Sequence, residues 1–281
     1  MPEKGSLKAR VAHVKRFPGY VRRKVYLQAS PWHELPLYLL IPDGDIKAPV
    51  VLALHGHGRG KSAPVNPDNS IYRGYAAAYA RRGFVVATPD FYPFGERVQL
   101  DHLGPGFEVR CNARFVTAML YGFTTLGLNV SDVMRTIDYL ATCPEADVRR
   151  LGCVGLSYGG TVTMYTTALD KRIRRAVLGV SFGSIPGHGL YLDELCGSQV
   201  VPGIMRLGDM AEIAGCIAPR PLLLEVATND PHFPWPATRS ELPRLETIYR
   251  VFGARQNPKI DVFHDGHRFY GRTALQWFDD L

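Results

Sequence analysis

Hydrophobic and polar positions along this chain alternate between two rhythms. Residues 50–54 (VVLAL), 84–88 (FVVAT), 150–155 (RLGCVG), 176–180 (AVLGV), 221–226 (PLLLEV) and 260–263 (IDVF) are short apolar runs. Their length and β-branched content fit strands buried on both faces of a parallel sheet. Between them the spacing predicts helices: 71–82, stopped by Gly83; 130–141, with Val133, Ile137 and Leu140 on one face and Ser131 as N-cap; and 160–170. Segments 20–28 and 35–41 alternate with period two, which predicts antiparallel strands at the leading edge of the sheet. Lysine and arginine on the first of these would discourage edge-to-edge pairing. Strands that alternate with helices predict an α/β fold: a mostly parallel sheet of about eight strands with helices on both faces.

No linker, repeat or low-complexity stretch interrupts residues 1–281, which are expected to form one domain. Two connections, 91–129 and 182–219, are long for simple loops and are expected to fold over a pocket as lids. The opening residues lack the apolar stretch of a secretory signal, and no run approaches the ~18 residues of a membrane span. A cytoplasmic protein with no membrane partner is the expectation. Five cysteines without paired spacing fit reduced thiols better than a disulfide framework. Net charge changes the picture only at one end. Eight Lys and Arg against Glu3 within residues 1–24 already supply the whole +7, leaving 25 basic against 25 acidic residues elsewhere. The segment 1–45 therefore reads as a basic arm and edge strands. Contact of such an arm with nucleic acid or an acidic surface is conceivable, but edge protection explains its charge, so no nucleic-acid partner is expected. A homo-oligomer stays open.

Ligands of open α/β sheets bind at the carboxyl ends of the strands, and there the chain turns polar. Ser157 sits in Gly155-Leu-Ser-Tyr-Gly-Gly160, between a strand and a helix, the pattern of a strained turn that pushes a serine hydroxyl out of the sheet. Serine needs a base, and His267, after the last strand, is favoured over His264. Asp230, after the preceding strand, would orient that imidazole in preference to Glu225 or Asp265. Backbone amides of His57 and Tyr158 would face the developing oxyanion. Phe182, Phe233 and Trp235 are candidate substrate contacts, with ordinary packing as the alternative. Glu96 and Arg97 would meet polar substrate groups or pair with each other.

Two decoys lie beside the first of these loops. Gly60-Lys61-Ser62 ends like a phosphate loop, but His55 occupies the place of its leading glycine, and Pro64 and Pro67 oppose the helix that should follow. His55 and His57 are spaced like a metal pair, yet no nearby set of carboxylates or cysteines completes a site. Neither a metal nor another cofactor is expected.

With His55-Gly-His-Gly58, Pro89 to Arg97, Gly155 to Gly160, Ile217 to Leu222, Asn229-Asp-Pro231 and Gly266 to Phe269 in that order, the chain resembles the α/β-hydrolase superfamily over nearly its whole length. The likeness is to the dienelactone-hydrolase-like and acetyl-esterase-like branch. The resemblance implies the triad Ser157, Asp230 and His267, and cofactor-free hydrolysis of an ester. Dienelactone hydrolases carry cysteine where this chain has Ser157. The expectation is a serine carboxylesterase that acts through an acyl-enzyme on small esters, acetylated sugars among them. A serine peptidase on the same triad and a non-catalytic binding protein on the same scaffold are the alternatives.

Overall fold

The computed structural model describes residues 2–44, 47–98, 111–190 and 195–281. Parts of both expected lids, 99–110 and 191–194, and residues 1, 45 and 46 of the arm lie outside the described residues. In chain order the elements are β1 (Arg10–Phe17), β2 (Tyr20–Ser30), β3 (His33–Pro42), β4 (Ala48–Leu54), α1 (Ser62–Val65), α2 (Tyr75–Arg81), β5 (Val85–Pro89), α3 (Cys111–Leu120), α4 (Thr125–Leu140), β6 (Ala146–Leu156), α5 (Tyr158–Leu169), β7 (Arg175–Gly179), α6 (Met210–Gly215), β8 (Leu222–Ala227), α7 (Trp235–Val251) and β9 (Pro258–Phe263). Nine strands form one sheet in the order β1-β2-β3-β5-β4-β6-β7-β8-β9. Pairing is antiparallel from β1 to β5 and parallel from β5 onward.

The period-two geometry of the central strands divides their side chains between two faces. In β4, Val50, Leu52 and Leu54 join a core with Leu126, Val130, Val133 and Ile137 of α4 and Val162 of α5. Val51 and Ala53 turn the other way, toward α2 and the segment that follows β9. On that second face Gly152 of β6 lies so close to Phe278 that a Cβ would enter its ring. A third core packs α6 and α7 on Ala176, Leu178, Leu222 and Leu224.

Two expectations are corrected. The strand beginning at Tyr20 is not the sheet edge. β1 lies outside it and is exposed along almost its whole length. The turn that pairs them, Pro18-Gly19 with φ +87° at the glycine, is a local signal that the charge pattern obscured. Helix α4 starts at Thr125, not near 130. Its N-cap is Thr124, whose hydroxyl accepts from Gly127 N at 3.0 Å, and Ser131 lies buried inside the helix. Among the described residues no helix is long and apolar enough to cross a membrane.

Candidate active site

Ser157 follows β6 and stands at the N-cap of α5 with φ 56° and ψ −127°, a conformation that L-residues rarely adopt. The neighbours explain why the turn can form. A Cβ at Gly155 would strike the Gly159 carbonyl, one at Gly159 the Leu54 carbonyl, and one at Gly160 the Ser181 hydroxyl. Three glycines let strand, turn and helix approach. The Ser157 amide donates to Gly179 O at 2.9 Å, and its carbonyl accepts from Gly160 and Thr161 at 2.8 and 3.1 Å, which fixes the turn at both ends.

Asp230 and His267 come from turns after β8 and β9. His267 Nδ1 lies 2.7 Å from Asp230 Oδ2, and the carboxylate is almost fully buried. Asp230 Oδ1 accepts from the amides of His232 and Phe233 at 2.8 and 3.0 Å, so the carboxylate is held from both sides. With Nδ1 donating to Asp230, the neutral ring keeps its lone pair on Nε2. The rivals are engaged elsewhere. His264 is exposed, with Nδ1 2.8 Å from Thr228 Oγ1. Asp265 pairs with Arg268. Glu225 accepts from Gly271 N at 2.7 Å inside the fold, where burial pushes its carboxyl up to about 7.

The loop after β4 is tied down residue by residue. His55 is fully buried. Burial pushes its imidazole down to about 4, and the neutral ring accepts from Phe91 N at 2.9 Å while Nδ1 contacts Gly56 O at 2.6 Å. Gly56 N donates to Tyr72 Oη at 2.7 Å, and a Cβ on Gly56 would touch Ser157 Cβ. The backbone of His57 follows at once. Tyr158 opens α5, where first-turn amides have no partner within the helix. Lys61, the cation of the apparent phosphate loop, is buried and bound to Asp90 at 2.5 Å and to Glu96.

Ser157, His267 and His57 line one cavity of about 350 Å³, together with Ile71, Tyr72, His188, Cys196, Gln199, His232 and Phe233. Of the expected substrate contacts, Phe233 belongs to this wall. Phe182 is in the α6 and α7 core, with Trp235 packed against it. Glu96 and Arg97 do not pair with each other. Glu96 meets Lys24, Lys61 and Tyr26, and Arg97 binds Asp132 at 2.5 Å; both border a separate, larger cavity. Burial raises the Glu96 carboxyl, but bonds from Lys24, Lys61 and Tyr26 outweigh it and hold it at about 2.

Several wall residues were not foreseen. His232 carried a signal, two positions after Asp230, and its ring lies edge-on to His267 with centroids 4.8 Å apart. His188, Cys196 and Gln199 carried none, because they sit within the long connection 182–219. That connection packs on α3, where Gly197 N donates to Asn112 Oδ1 at 2.7 Å. The same packing brings Cys111 and Cys196 to His57, so cysteines remote in sequence do gather there. A bond from Cys111 holds the Cys196 thiol below its usual range, aided by His57 and Ser198.

Comparison with known proteins agrees with this architecture. A sequence model of the dienelactone hydrolase family matches residues 35–273. A candidate hydrolase of Bacillus subtilis (strain 168), YtaP, is 23% identical over 95% of this chain and 89% of its own. A candidate acetyl xylan esterase from Bacteroides fragilis NCTC 9343 superposes with a TM-score of 0.77 at 17% identity, covering 93% of this chain and 70% of that one. A glucuronoyl esterase from Solibacter usitatus gives 0.69 at 16%, covering 99% and 87%. At such identities the structural likenesses establish the α/β-hydrolase fold.

Proposed function

The chain belongs to the dienelactone hydrolase family, and from that premise we propose that it is a serine carboxylesterase for small esters, acetylated sugars among them. The observation that carries this reading is the Asp230–His267 pair, 2.7 Å apart, whose imidazole lines one cavity with a serine in strained backbone geometry. In the proposed reaction His267 Nε2 takes the proton of Ser157 Oγ as the oxygen attacks the ester carbonyl. Asp230 keeps the ring in the right tautomer and stabilises its charged form. The amides of His57 and Tyr158 donate to the carbonyl oxygen as it becomes negative; each such donor is typically worth ~3 kcal/mol. His267 then hands its proton to the leaving alkoxide. Water, activated by the same imidazole, releases the acid from the acyl-enzyme.

A cavity of about 350 Å³ fits a short acyl group and a modest alcohol. Gln199, His188 and His232 in the wall suit a hydroxylated alcohol such as a sugar. Each buried methylene gains about 0.8 kcal/mol until the wall is reached, after which further carbons stay in water or force the wall apart. A fluorophosphonate should therefore label Ser157, and kcat/KM on p-nitrophenyl esters should peak between acetyl and butyryl. A steady rise to dodecanoyl would indicate a long acyl channel. Faster turnover of aminoacyl nitroanilides than of any ester would favour the peptidase alternative.

A further inference from the structure

His57, Cys111 and Cys196 come from three remote segments, yet a ring nitrogen of His57 and the two Sγ atoms all lie within 4.8 Å of one another. Nε2 is 3.0 Å from Cys196 Sγ. Two cysteine sulfurs and an imidazole form a donor set with a strong chemical bias: sulfur and imidazole nitrogen favour zinc-like cations over the oxygen-seeking Mg²⁺ and Ca²⁺. Around a tetrahedral Zn²⁺, Zn–S of about 2.3 Å and Zn–N of about 2.0 Å place ligands roughly 3.5–3.8 Å apart. His57 Nε2 and Cys196 Sγ stand closer than that and no pair is farther apart than 4.8 Å, so side-chain adjustments of about 1 Å would bring all three donors to one ion.

We propose that His57, Cys111 and Cys196 form a binding site for a zinc-class divalent cation on the wall of the triad cavity. Ser198 Oγ lies 2.6 Å from Cys196 Sγ and 3.1 Å from His57 Nε2, so the fourth vertex falls to Ser198 or to a water of the cavity. Surrounding packing already orients the donors. The His57 ring is wedged between Phe94, edge-on with centroids 5.2 Å apart, and Tyr158 at 5.1 Å. The turn carrying Cys196 is clamped to α3 through Asn112. A bound ion would tie the loop after β4 to both long connections at once, making the site a control point on the cavity wall. It takes no part in acyl transfer and stands whether or not the ester reading does.

The test uses the full chain, reduced and stripped of metal with a chelator, then titrated with Co²⁺ as an optical probe. One equivalent should produce thiolate-to-cobalt charge transfer in the near ultraviolet and tetrahedral bands in the visible, both erased by Zn²⁺. Cys111→Ser and Cys196→Ser should each weaken Zn²⁺ binding by more than about a hundredfold, beyond the 10- to 100-fold typical of groups outside the ligand set. Cys216→Ser should leave binding unchanged, since that exposed thiol bonds to Glu212 O on α6. Absence of thiolate charge transfer in the reduced wild type overturns the site without recourse to any variant. Charge transfer that survives in both cysteine variants overturns it equally.

Discussion

Among the described residues, two chains of serine, histidine and aspartate share a composition and a His–Asp hydrogen bond and differ in setting. In one, Asp230 holds His267 at 2.7 Å, and the imidazole shares a cavity with Ser157. In the other, Ser30 Oγ is 2.6 Å from His33 Nδ1, and His33 Nε2 is 3.0 Å from Asp132 Oδ1. By distance alone the Ser30 chain is complete. Yet Ser30 is fully buried at the end of β2, without the strained turn or the following helix N-terminus that Ser157 has. Asp132 also binds Arg97 at 2.5 Å. Burial alone would raise its carboxyl, but Arg97 and His33 prevail and keep it below the usual range. A carboxylate already neutralised by a guanidinium has little field left to stabilise an imidazolium. Proximity assembles such a chain; access, backbone strain and an uncommitted carboxylate separate a reactive one from a brace.

Exchange of the serines is the sharpest way to break the comparison. Ser157→Ala should cut turnover at least about a thousandfold, because triad members act as a unit. Ser30→Ala should leave turnover unchanged and lower stability by ~1 kcal/mol for its lost hydrogen bond. Equal losses of activity would place both chains in the reaction. The aspartates should separate in the same way. Asp230→Asn should slow turnover by a factor on the order of 10³–10⁴ through the wrong tautomer, with the fold intact. Asp132→Asn should keep kcat but lose about 3–5 kcal/mol in urea denaturation, since Arg97 would be left buried without its carboxylate.

Glu225 offers a smaller test, with a sign opposite to that of Asp132. Its folded-state pKa, about 7, lies above the ordinary 4.5, so the folded protein binds the proton more tightly than the unfolded chain. From this group stability is greatest below pH 4.5 and falls as pH rises toward 7, by up to ~3 kcal/mol. Asp132, depressed instead, contributes stability that is present at neutral pH and lost as pH falls through its folded pKa. Glu225→Gln should therefore flatten the decline in melting temperature between about pH 5 and 8. If the variant keeps the wild-type slope, another group is responsible.

The parallel half of the sheet was legible because its inner strands β4, β5, β7 and β8 are buried on both faces and are almost continuously apolar, whereas β9 lies half exposed at the edge. Gly155, Ser157 and Gly159 announced their turn because steric demand at the three positions is local. Asp230 and His267 were proposed by place, after successive strands, and their side chains meet at 2.7 Å. What failed was whatever depended on contact across the fold. Nothing near Glu96 or Arg97 in sequence tells that one will meet Lys61 and the other Asp132. Cys111 and Cys196, 85 positions apart, reach His57 only through the packing of two irregular connections, for which no periodicity exists to read. β1 escaped because polar residues on both of its faces leave no alternation.

Phe278 fills the space that Gly152 leaves open on β6, and Phe269, Ala274 and Trp277 close the same face. Synthesis runs from the amino end, so strands β4 to β7 leave the ribosome long before the residues that cover them. During that interval Val51, Val154, Leu156 and Val177 form an apolar stripe with only part of its cover, the kind of surface that draws nascent chains into aggregates or chaperones. Ribosome-stalled chains that have exposed residues up to 268 should bind a hydrophobic dye or a holdase, and chains that have exposed residue 278 should release it. If neither length binds, α2 alone shields the stripe; if both bind equally, residues 269–278 are not its cover. The turn that carries Phe278 thus sets the moment at which this face of a growing chain becomes safe to leave alone.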